Sequence, residues 1–199
     1  MSNASTIRRQ ISGTQQLTLA PIVNPGTTET NFTLNNNGLT LTGGGVIPLV
    51  AGVTGLYQGT GQVLVIRAAG TFAGYTSSDT LTLKLYEIPA AIIAAGGLTA
   101  TSNTNFNLVH SSGAVTISNA AGAFSLVARL QLDAAGNLNG SASAEIDTGT
   151  FEGPAVISGA ANVKGLVGEA DLNFVVSLTA GSSVSTLVAN LNEFAIDLE

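Results

Sequence analysis

The sequence predicts an all-β fold, an antiparallel β-sandwich of jelly-roll type, and three observations lead to this prediction. About ten short runs alternate in polarity or are apolar throughout, and turns rich in Gly, Asn and Asp separate them at spacings of about 8 to 12 residues. Only one short segment fits a helix. Charged residues are 9% of the 199 residues and Gly occupies 24 positions, whereas about 25% of an average soluble domain is charged.

Two parts are predicted along the chain, an extended N-terminal arm over 1–30 and a single β-sandwich domain over 31–199. The first part has Pro21, Pro25 and one short alternating piece, so it suits an extended arm or an edge strand. Arg8 and Arg9 make it basic, whereas residues 133–199 hold nine acids against one Lys. A basic arm of this kind can dock on an acidic neighbour.

The first element after the arm lies in a charge-free stretch of 37 residues, 30–66. The stretch has no helical periodicity and no apolar run long enough to cross a membrane. Asn37 and Gly38 separate two alternating runs there, which predicts a β-hairpin. We expect this stretch to form a sheet edge and a subunit contact, and the substitution Thr40→Glu to impair assembly more than folding.

The following runs predict further strands in order. Residues 62–67 are apolar on both faces and should form a covered strand, whereas the strand at 80–86 has leucines on one face only. The segment 89–96 begins with Pro and ends with Gly, and it is the one predicted helix, of about two turns. The remaining predicted strands lie at 105–109, 114–118, 124–132, 137–147, 161–167, 172–178 and 186–198.

Two details of connection can also be predicted. The turn at 133–136 joins the strands at 124–132 and 137–147 as a second hairpin. The apolar side chains of the final strand fall in two phases, first Leu187, Ala189 and Leu191 and then Phe194, Ile196 and Leu198. A one-residue bulge near Asn192 and Glu193 would reconcile these phases.

Few residues could support enzymatic chemistry. His110 is the only histidine and there is no Cys, so a site with two imidazoles or a thiol nucleophile is excluded. A Ser-His-Asp triad would depend on Ser111 or Ser112, which as sequence neighbours of His110 cannot supply triad geometry. We interpret His110 as a turn residue and predict that the protein is not an enzyme; a sandwich enzyme would need a cleft with converging acids such as Glu145 and Glu169.

Two pairs of carboxylates have a spacing that bears on binding. In a strand, Glu145 with Asp147 and Glu169 with Asp171 would each lie on one face about 7 Å apart. Such a pair could hold Ca²⁺ if loop carbonyls joined in, or it could mark an exposed strand face. We predict neither a metal site nor a cofactor, since phosphate-binding and dinucleotide-binding loops are also absent from the sequence.

The partners and location follow from charge and from the first residues. The pair Arg8 and Arg9 is too small a basic cluster for nucleic acid, and the acidic remainder would repel phosphate. The N-terminus lacks the apolar core of a signal peptide, and no run reaches the length of a membrane helix. We therefore expect synthesis in a host cytoplasm, with no nucleic-acid or membrane partner.

The organisation of the chain resembles the decoration, or cement, proteins of tailed-bacteriophage capsids and, more loosely, jelly-roll virion proteins. The resemblance lies in the arm from Arg8 to Pro25, the hairpin at 35–38 and the long strands at 124–132 and 170–178. It implies a virion structural protein on the capsid exterior, assembled as a homotrimer, that binds and stabilises the shell of major capsid protein. The implied contact residues are Arg8, Arg9, Leu17, Leu19, Phe32 and Thr40.

A second function class remains open from the residues alone. The chain could be the receptor-binding or glycan-binding head of a phage tail or surface fibre. That alternative predicts a calcium or sugar site near 145–147 or 169–171.

Overall fold

The computed structural model describes residues 9–12, 19–23, 27–34, 63–74, 79–88, 92, 95, 104–117, 120–132, 138–147, 149–157, 173–182 and 186–199. The strands in these ranges are β1 (Arg9–Ser12), β2 (Leu19–Ala20), β3 (Ile22–Val23), β4 (Thr30–Asn31), β5 (Thr33–Leu34), β6 (Val63–Ala73), β7 (Thr80–Ile88), β8 (Asn107–Ser111), β9 (Val115–Thr116), β10 (Ala121–Leu132), β11 (Leu138–Ile146), β12 (Gly149–Ile157), β13 (Asn173–Ala180) and β14 (Val188–Leu198).

The strands form two main sheets that pack face to face. A seven-stranded sheet has the order β1-β14-β6-β10-β11-β12, with β3 also paired to β14. A five-stranded sheet has the order β4-β13-β7-β8, with β9 also paired to β7, and β2 pairs with β5. The pairings between these strands are antiparallel. The predicted fold class, an antiparallel β-sandwich of jelly-roll type with at most one short helix, is confirmed.

The core lies between the two sheets because alternate side chains of each strand point inward. Leu81, Leu83 and Leu85 of β7 are fully buried, as the alternation predicted. From the other sheet, β10 contributes Phe124, Leu126, Ala128 and Leu130, and the same apolar cluster includes inward residues of β6, β11, β13 and β14.

Several element predictions agree with the structure. The strand predicted at 62–67 is β6, and Leu64, Val65 and Ile66 are fully buried on both of its faces. The second hairpin is formed by β10 and β11, whose register pairs Leu132 with Leu138. In the predicted helical segment 89–96 the structure describes Ile92 and Ala95, and both are helical.

The bulge in the final strand is also confirmed. The pairing of β14 with β6 shifts register between Leu191 and Glu193, so Asn192 is the extra residue. Before the bulge Leu191 points inward, and after it Phe194 and Ile196 point inward again. The bulge therefore lets one strand bury two apolar runs of opposite phase.

The described parts of residues 1–30 form edge strands, one of the two alternatives that the sequence left open for this segment. There β1 pairs with β14, β3 pairs with β14, and β4 pairs with β13. Ile22 belongs to the core cluster with 5% exposure. Where it is described, this segment forms edge strands of the sandwich, because its short pieces pair with the long strands β13 and β14.

Phe32 also differs from its predicted role as a partner contact. Its side chain is fully buried, and its ring stacks on Phe124 with centroids 5.7 Å apart. The resemblance implied a contact residue here, but the aromatic ring fills the space between the sheets. Phe32 therefore stabilises the core.

Some predictions fall outside the described residues, and the nine-residue strand β12 was not predicted. The hairpin at 35–38, the strand at 161–167 and the contact residues Arg8, Leu17 and Thr40 lie outside. The strand β12 was missed because its sequence includes Gly149, Gly153 and Pro154, which weaken a strand pattern. Proline is tolerated there because β12 is at the end of the sheet order, where one backbone edge needs no ladder bonds.

Candidate functional site

The two sheets differ in how far their outer faces are covered. On the five-stranded sheet, Tyr86 and Val175 are buried with Ile88 and Phe106, and Ile92 packs against this group. The outer face of the seven-stranded sheet is covered at Val65 and Ala195, but elsewhere it exposes short side chains. We define its outer face by the outward residues of β14, β6, β10 and β11: Ala69, Thr71, Ala73, Ala121, Ala123, Ser125, Val127, Arg129, Ser141, Ser143, Glu145, Asn190 and Glu193, all exposed or half-buried.

One end of the outer face has an open pocket of about 510 Å³, which we name the acid-rimmed pocket. Strand pairing forms it, because Ser125 lies opposite both Ala69 and Glu145, and Ala69 lies opposite Glu193. The two acids are thus separated by three strand spacings, about 14 Å. The lining residues are Ala69, Gly70, Ala123, Phe124, Ser125, Glu145, Asp147, Asn192 and Glu193.

The bulge of β14 shapes one wall of the acid-rimmed pocket. Because Asn192 is the extra residue, Asn192 and Glu193 are both exposed in succession, where regular alternation would turn one of them inward. Bulges often re-aim side chains in this way beside binding sites. The wall therefore combines a carboxamide, which can donate and accept hydrogen bonds, with a carboxylate that accepts them.

The opposite wall ends in a residue with unusual backbone geometry. Asp147 has φ of 56°, in the left-handed region that non-glycine residues seldom adopt. Its backbone N–H donates to the carbonyl oxygen of Ala123 at 3.0 Å, which ties the end of β11 to β10. The predicted pair Glu145 and Asp147 therefore lines one pocket, with Asp147 in the turn that follows the strand.

The other end of the outer face has a network of opposite charges. Arg67 pairs with Asp197 and, at 3.4 Å, with Glu199, whose second carboxylate oxygen accepts from Arg129 at 3.1 Å. Arg129 is the most open member, with 52% of its side chain exposed. The outer face thus runs from the paired charges of this network to the acids of the pocket.

A second polar cluster lies on the five-stranded sheet. Lys84 Nζ donates to Glu29 Oε2 at 2.7 Å, and Ser177 Oγ donates to Glu29 Oε1 at 2.6 Å. Burial raises the pKa of Glu29, but hydrogen bonds from Lys84, Ser177 and Tyr86 outweigh it, so the pKa lies below 4.5. Burial lowers the pKa of Lys84, but its bonds to Glu29 and Tyr86 raise it above 10.5. The cluster fastens the chain before β4 to the sheet.

One acid is buried on the inner side of the five-stranded sheet. Glu87 is 2% exposed, and Asn107 Nδ2 donates to its Oε2 at 2.6 Å across the β7 and β8 pair. Burial raises the pKa of Glu87 above 4.5, and the bond from Asn107 offsets only part of that effect. This carboxyl group lies away from the outer face.

His110, which was considered above as a possible member of a catalytic triad, is buried in β8 opposite Leu85. Ser112 Oγ accepts from the backbone N–H of Leu83 at 3.0 Å and donates to the carbonyl oxygen of Gly113 at 2.8 Å. The hydroxyl of Ser112, two residues after His110, is thus bonded to backbone groups. The interpretation of His110 as a turn residue was wrong in position, since it lies in a strand.

Other predicted site residues can be placed as follows. Glu169 and Asp171 lie outside the described residues. Within the described ranges, no group of three or more His, Asp and Glu side chains is arranged to hold a metal ion, and no helix is long and apolar enough to cross a membrane. The roles of Asn192 and Glu193 in lining the pocket were not predicted. The signal in the sequence was the change in phase of the apolar side chains at these residues, because it marks the bulge that leaves both side chains exposed.

Comparison with known proteins finds likeness only among solved structures. No protein-family model and no curated protein sequence matches the chain. Winged bean acidic lectin, complexed with methyl-α-D-galactose, matches with a TM-score of 0.46 and 10% identity over 97% of this chain and 98% of the lectin.

Two further lectins match more weakly. Peanut lectin with a nine-residue peptide gives a TM-score of 0.40 and 12% identity over 98% of both chains. Lectin I of Ulex europaeus with the methyl glycoside of α-L-fucose gives 0.39 and 10%, over 96% of this chain and 97% of the lectin. At these scores the likeness assigns neither a family nor a ligand to this chain.

Proposed function

We propose that this chain is a structural protein that acts by assembly, with the outer face of the seven-stranded sheet as its contact surface. The observation that supports the proposal is the contrast between the sheets. One outer face is covered by the chain itself at Tyr86, Val175 and Ser177, whereas the other is covered only near Val65 and Ala195 among the described residues and elsewhere presents short, mostly uncharged side chains.

The residues of this face suit burial against a partner. Ala, Ser and Thr lose little side-chain entropy when an interface orders them, so the cost of association is lower than for long charged side chains. Four strands at about 4.8 Å spacing and about nine residues of length give a face on the order of 600 Å². Its contact with an equal face would bury about 1,200 Å² in total, at the lower end for specific interfaces.

Capsid decoration is the form of this function that the sequence resemblance implies. The partner would then be the major capsid protein, and the chain would stabilise the shell from its exterior in many copies, whose weak contacts add up. Shells that lack this protein should lose resistance to heat. Unchanged resistance would contradict a stabilising role.

A point substitution tests the contact surface itself. We expect Ser143→Arg, at the middle of the outer face, to abolish binding to capsid shells while the thermal unfolding midpoint stays within a few degrees. Thr116→Arg on β9, which is exposed on the other sheet, is the matched control. Equal binding by both variants, measured by cosedimentation with shells, would exclude this face as the contact.

Carbohydrate binding is the second candidate, and the acid-rimmed pocket favours it. Glu145, Asp147, Asn192 and Ser125 place hydrogen-bonding groups around a pocket wide enough for one or two sugar rings. The chain would then be a glycan-binding head, as in the fibre alternative. A glycan array with and without Ca²⁺ tests this, and any hit should disappear with Asn192→Ala; a fully negative array would contradict the candidate.

A further inference from the structure

We propose that the partner of the outer face presents a basic protein surface, and that an arginine side chain of this partner enters the acid-rimmed pocket. The inference rests on the proposed role of the outer face in assembly and adds the chemistry of the partner. It is carried by the balance of charge on the outer face and by the position of two exposed acids on either side of the pocket.

The cations of the outer face are already neutralised within the chain. Arg67 pairs with Asp197 and Glu199, and Arg129 pairs with Glu199. Two positive charges thus stand against two negative charges in this network. The charge that the outer face offers to a partner must therefore come from its other end, where the pocket lies.

Glu145 and Glu193 supply that charge. Both side chains are exposed, and neither takes part in an ion pair with another described residue. The described lining of the acid-rimmed pocket contains no Lys, Arg or His, and its third acid is Asp147. The outer face therefore presents an unbalanced negative charge at the pocket, and the complement of that charge on a partner is positive.

A different protein is a better source of the cation than a second copy of this chain. The Lys and Arg side chains that the structure describes are Arg67, Lys84 and Arg129, and each is in an ion pair with an acid of the same chain. The whole chain has six Lys and Arg against twelve Asp and Glu. A second copy would thus bring mainly acid to an acidic pocket, whereas a basic surface would be attracted to it.

The geometry of the pocket favours a cation with hydrogen-bond donors on two sides. In the strand register Ser125 lies opposite both Glu145 and Ala69. Ala69 in turn lies opposite Glu193. A side chain that enters between Ser125 and Ala69 therefore has a Glu about 7 Å away on either side, measured across the strands. The Arg guanidinium holds five N–H donors in a planar fork and can bond two carboxylates at once, whereas a Lys ammonium acts as a point charge.

The rest of the pocket is compatible with a guanidinium. Asn192 and Ser125 add a carboxamide oxygen and a hydroxyl as further acceptors. Ala69 and Ala123 are small, so the open volume of about 510 Å³ has room for an arginine side chain. Each exposed ion pair adds little affinity, and many copies on one partner would add up.

Titration of the full chain with N-acetylarginine methylamide, followed by its amide NMR signals, tests the pocket directly. We expect the signals of Ser125, Glu145 and Glu193 to shift with weak, millimolar affinity. The citrulline analogue, which has nearly the same shape and no charge, should bind at least about fivefold more weakly. Glu145→Gln and Glu193→Gln should each weaken binding of the arginine compound about fivefold. Thr116→Lys, exposed on the other sheet, changes the net charge by the same amount and should leave binding unchanged.

Salt tests the same chemistry in the assembly. Binding to shells should weaken as NaCl rises from about 50 mM to about 500 mM, because salt screens exposed charges. The double variant with Glu145→Gln and Glu193→Gln should bind shells more weakly and lose most of this salt dependence. Cosedimentation measures both effects.

Several results would overturn the basic partner. These are equal shifts with the arginine and citrulline compounds, or no shift at the pocket. Shifts of the same signals by a neutral sugar alone would favour the carbohydrate candidate instead, and shifts on raising the concentration of the chain itself would assign the pocket to a second copy.

The proposed function can stand when this inference fails. If Ser143→Arg abolishes shell binding while salt and the two neutralising substitutions have no effect, the outer face remains the contact and only the basic partner is refuted.

Discussion

Gly70 and Asp147 both border the acid-rimmed pocket, and each constrains it at the level of a single residue. A Cβ on Gly70 would overlap the carbonyl oxygen of Asn190 and the ring of Phe124. The floor of the pocket thus depends on close approach between the backbone of β6 and an aromatic ring beneath it. Asp147 holds a left-handed conformation at the rim, where the connection from β11 to β12 begins.

Gly70→Ala should destabilise the protein by about 1 to 3 kcal/mol, because backbone and core ring must both shift to admit one methyl group. Gly113→Ala is the informative comparison. Gly113 has φ of 69° but open space where a Cβ would be, so only left-handed strain of about 1 kcal/mol is expected. Urea denaturation measures both, and a smaller cost for Gly70→Ala would contradict the close approach.

The buried acid Glu87 gives a pH-dependent prediction. Its pKa is raised above 4.5 in the folded state, so its contribution to stability is present below pH 4.5 and is lost as pH rises through the folded pKa. Glu87→Gln should therefore raise the melting temperature at neutral pH and give no gain in acid, below the unfolded pKa of 4.5. Thermal unfolding across this range measures the effect.

Glu29 supplies the control of opposite sign. Its folded pKa is lowered, so its contribution is present above pH 4.5 and is lost as pH falls through the folded pKa. Glu29→Gln should lower the melting temperature at neutral pH and have no effect in strong acid. Two variants with the same pH trend would show that one of these carboxyl environments is assigned wrongly.

At the scale of elements, the bulge of β14 is required by the pocket on the outer face and not by the core. Without Asn192, Leu191 would still point inward opposite Gly70, Glu193 would still lie outward opposite Ala69, and Phe194 would follow inward. Regular alternation would therefore keep the same core residues buried. The core does not require the extra residue, whereas the wall of the pocket does.

Deletion of Asn192 should thus leave stability within about 1 kcal/mol of the parent, because the apolar phases come into register. Deletion of Ala195 is the matched control, since it would turn Ile196 outward and cost about 3 kcal/mol or more. Chemical denaturation distinguishes the two. A loss as large for Asn192 as for Ala195 would mean that the core does depend on the bulge.

How well the sequence predicts a feature depends on whether the feature follows from a pattern within one segment or from contacts between distant segments. The alternation of β7, β10 and β14 is local, and even the bulge could be located near Asn192 from the change of phase. Phe32 was misassigned because a single aromatic residue between short polar runs has the same local pattern on a surface or in a core. The pocket was missed because Glu145 and Glu193 are joined by strand order, which alternation does not encode.

At the scale of the whole molecule, the sandwich has no Cys, so its stability comes from packing between the sheets and from a few buried polar links. The cluster around Glu29 fastens the segment before β4 onto the five-stranded sheet, and Phe32 follows at once in the core. The early part of the chain is therefore held by both sheets. Phe32→Ala should cost about 3 to 5 kcal/mol, measured by urea denaturation, and a loss below 1 kcal/mol would contradict this anchoring.

The pairing of β1 with β14 brings the two ends of the described chain together, with Arg9 opposite Leu198. A short flexible linker could join these ends, and new termini could then be opened at a turn, because proteins with neighbouring ends tolerate circular permutation. Two different cargo proteins attached at Arg9 and at Leu198 would lie side by side at one sheet edge. Energy transfer between fluorophores attached there should accordingly be high in the native state and fall on unfolding.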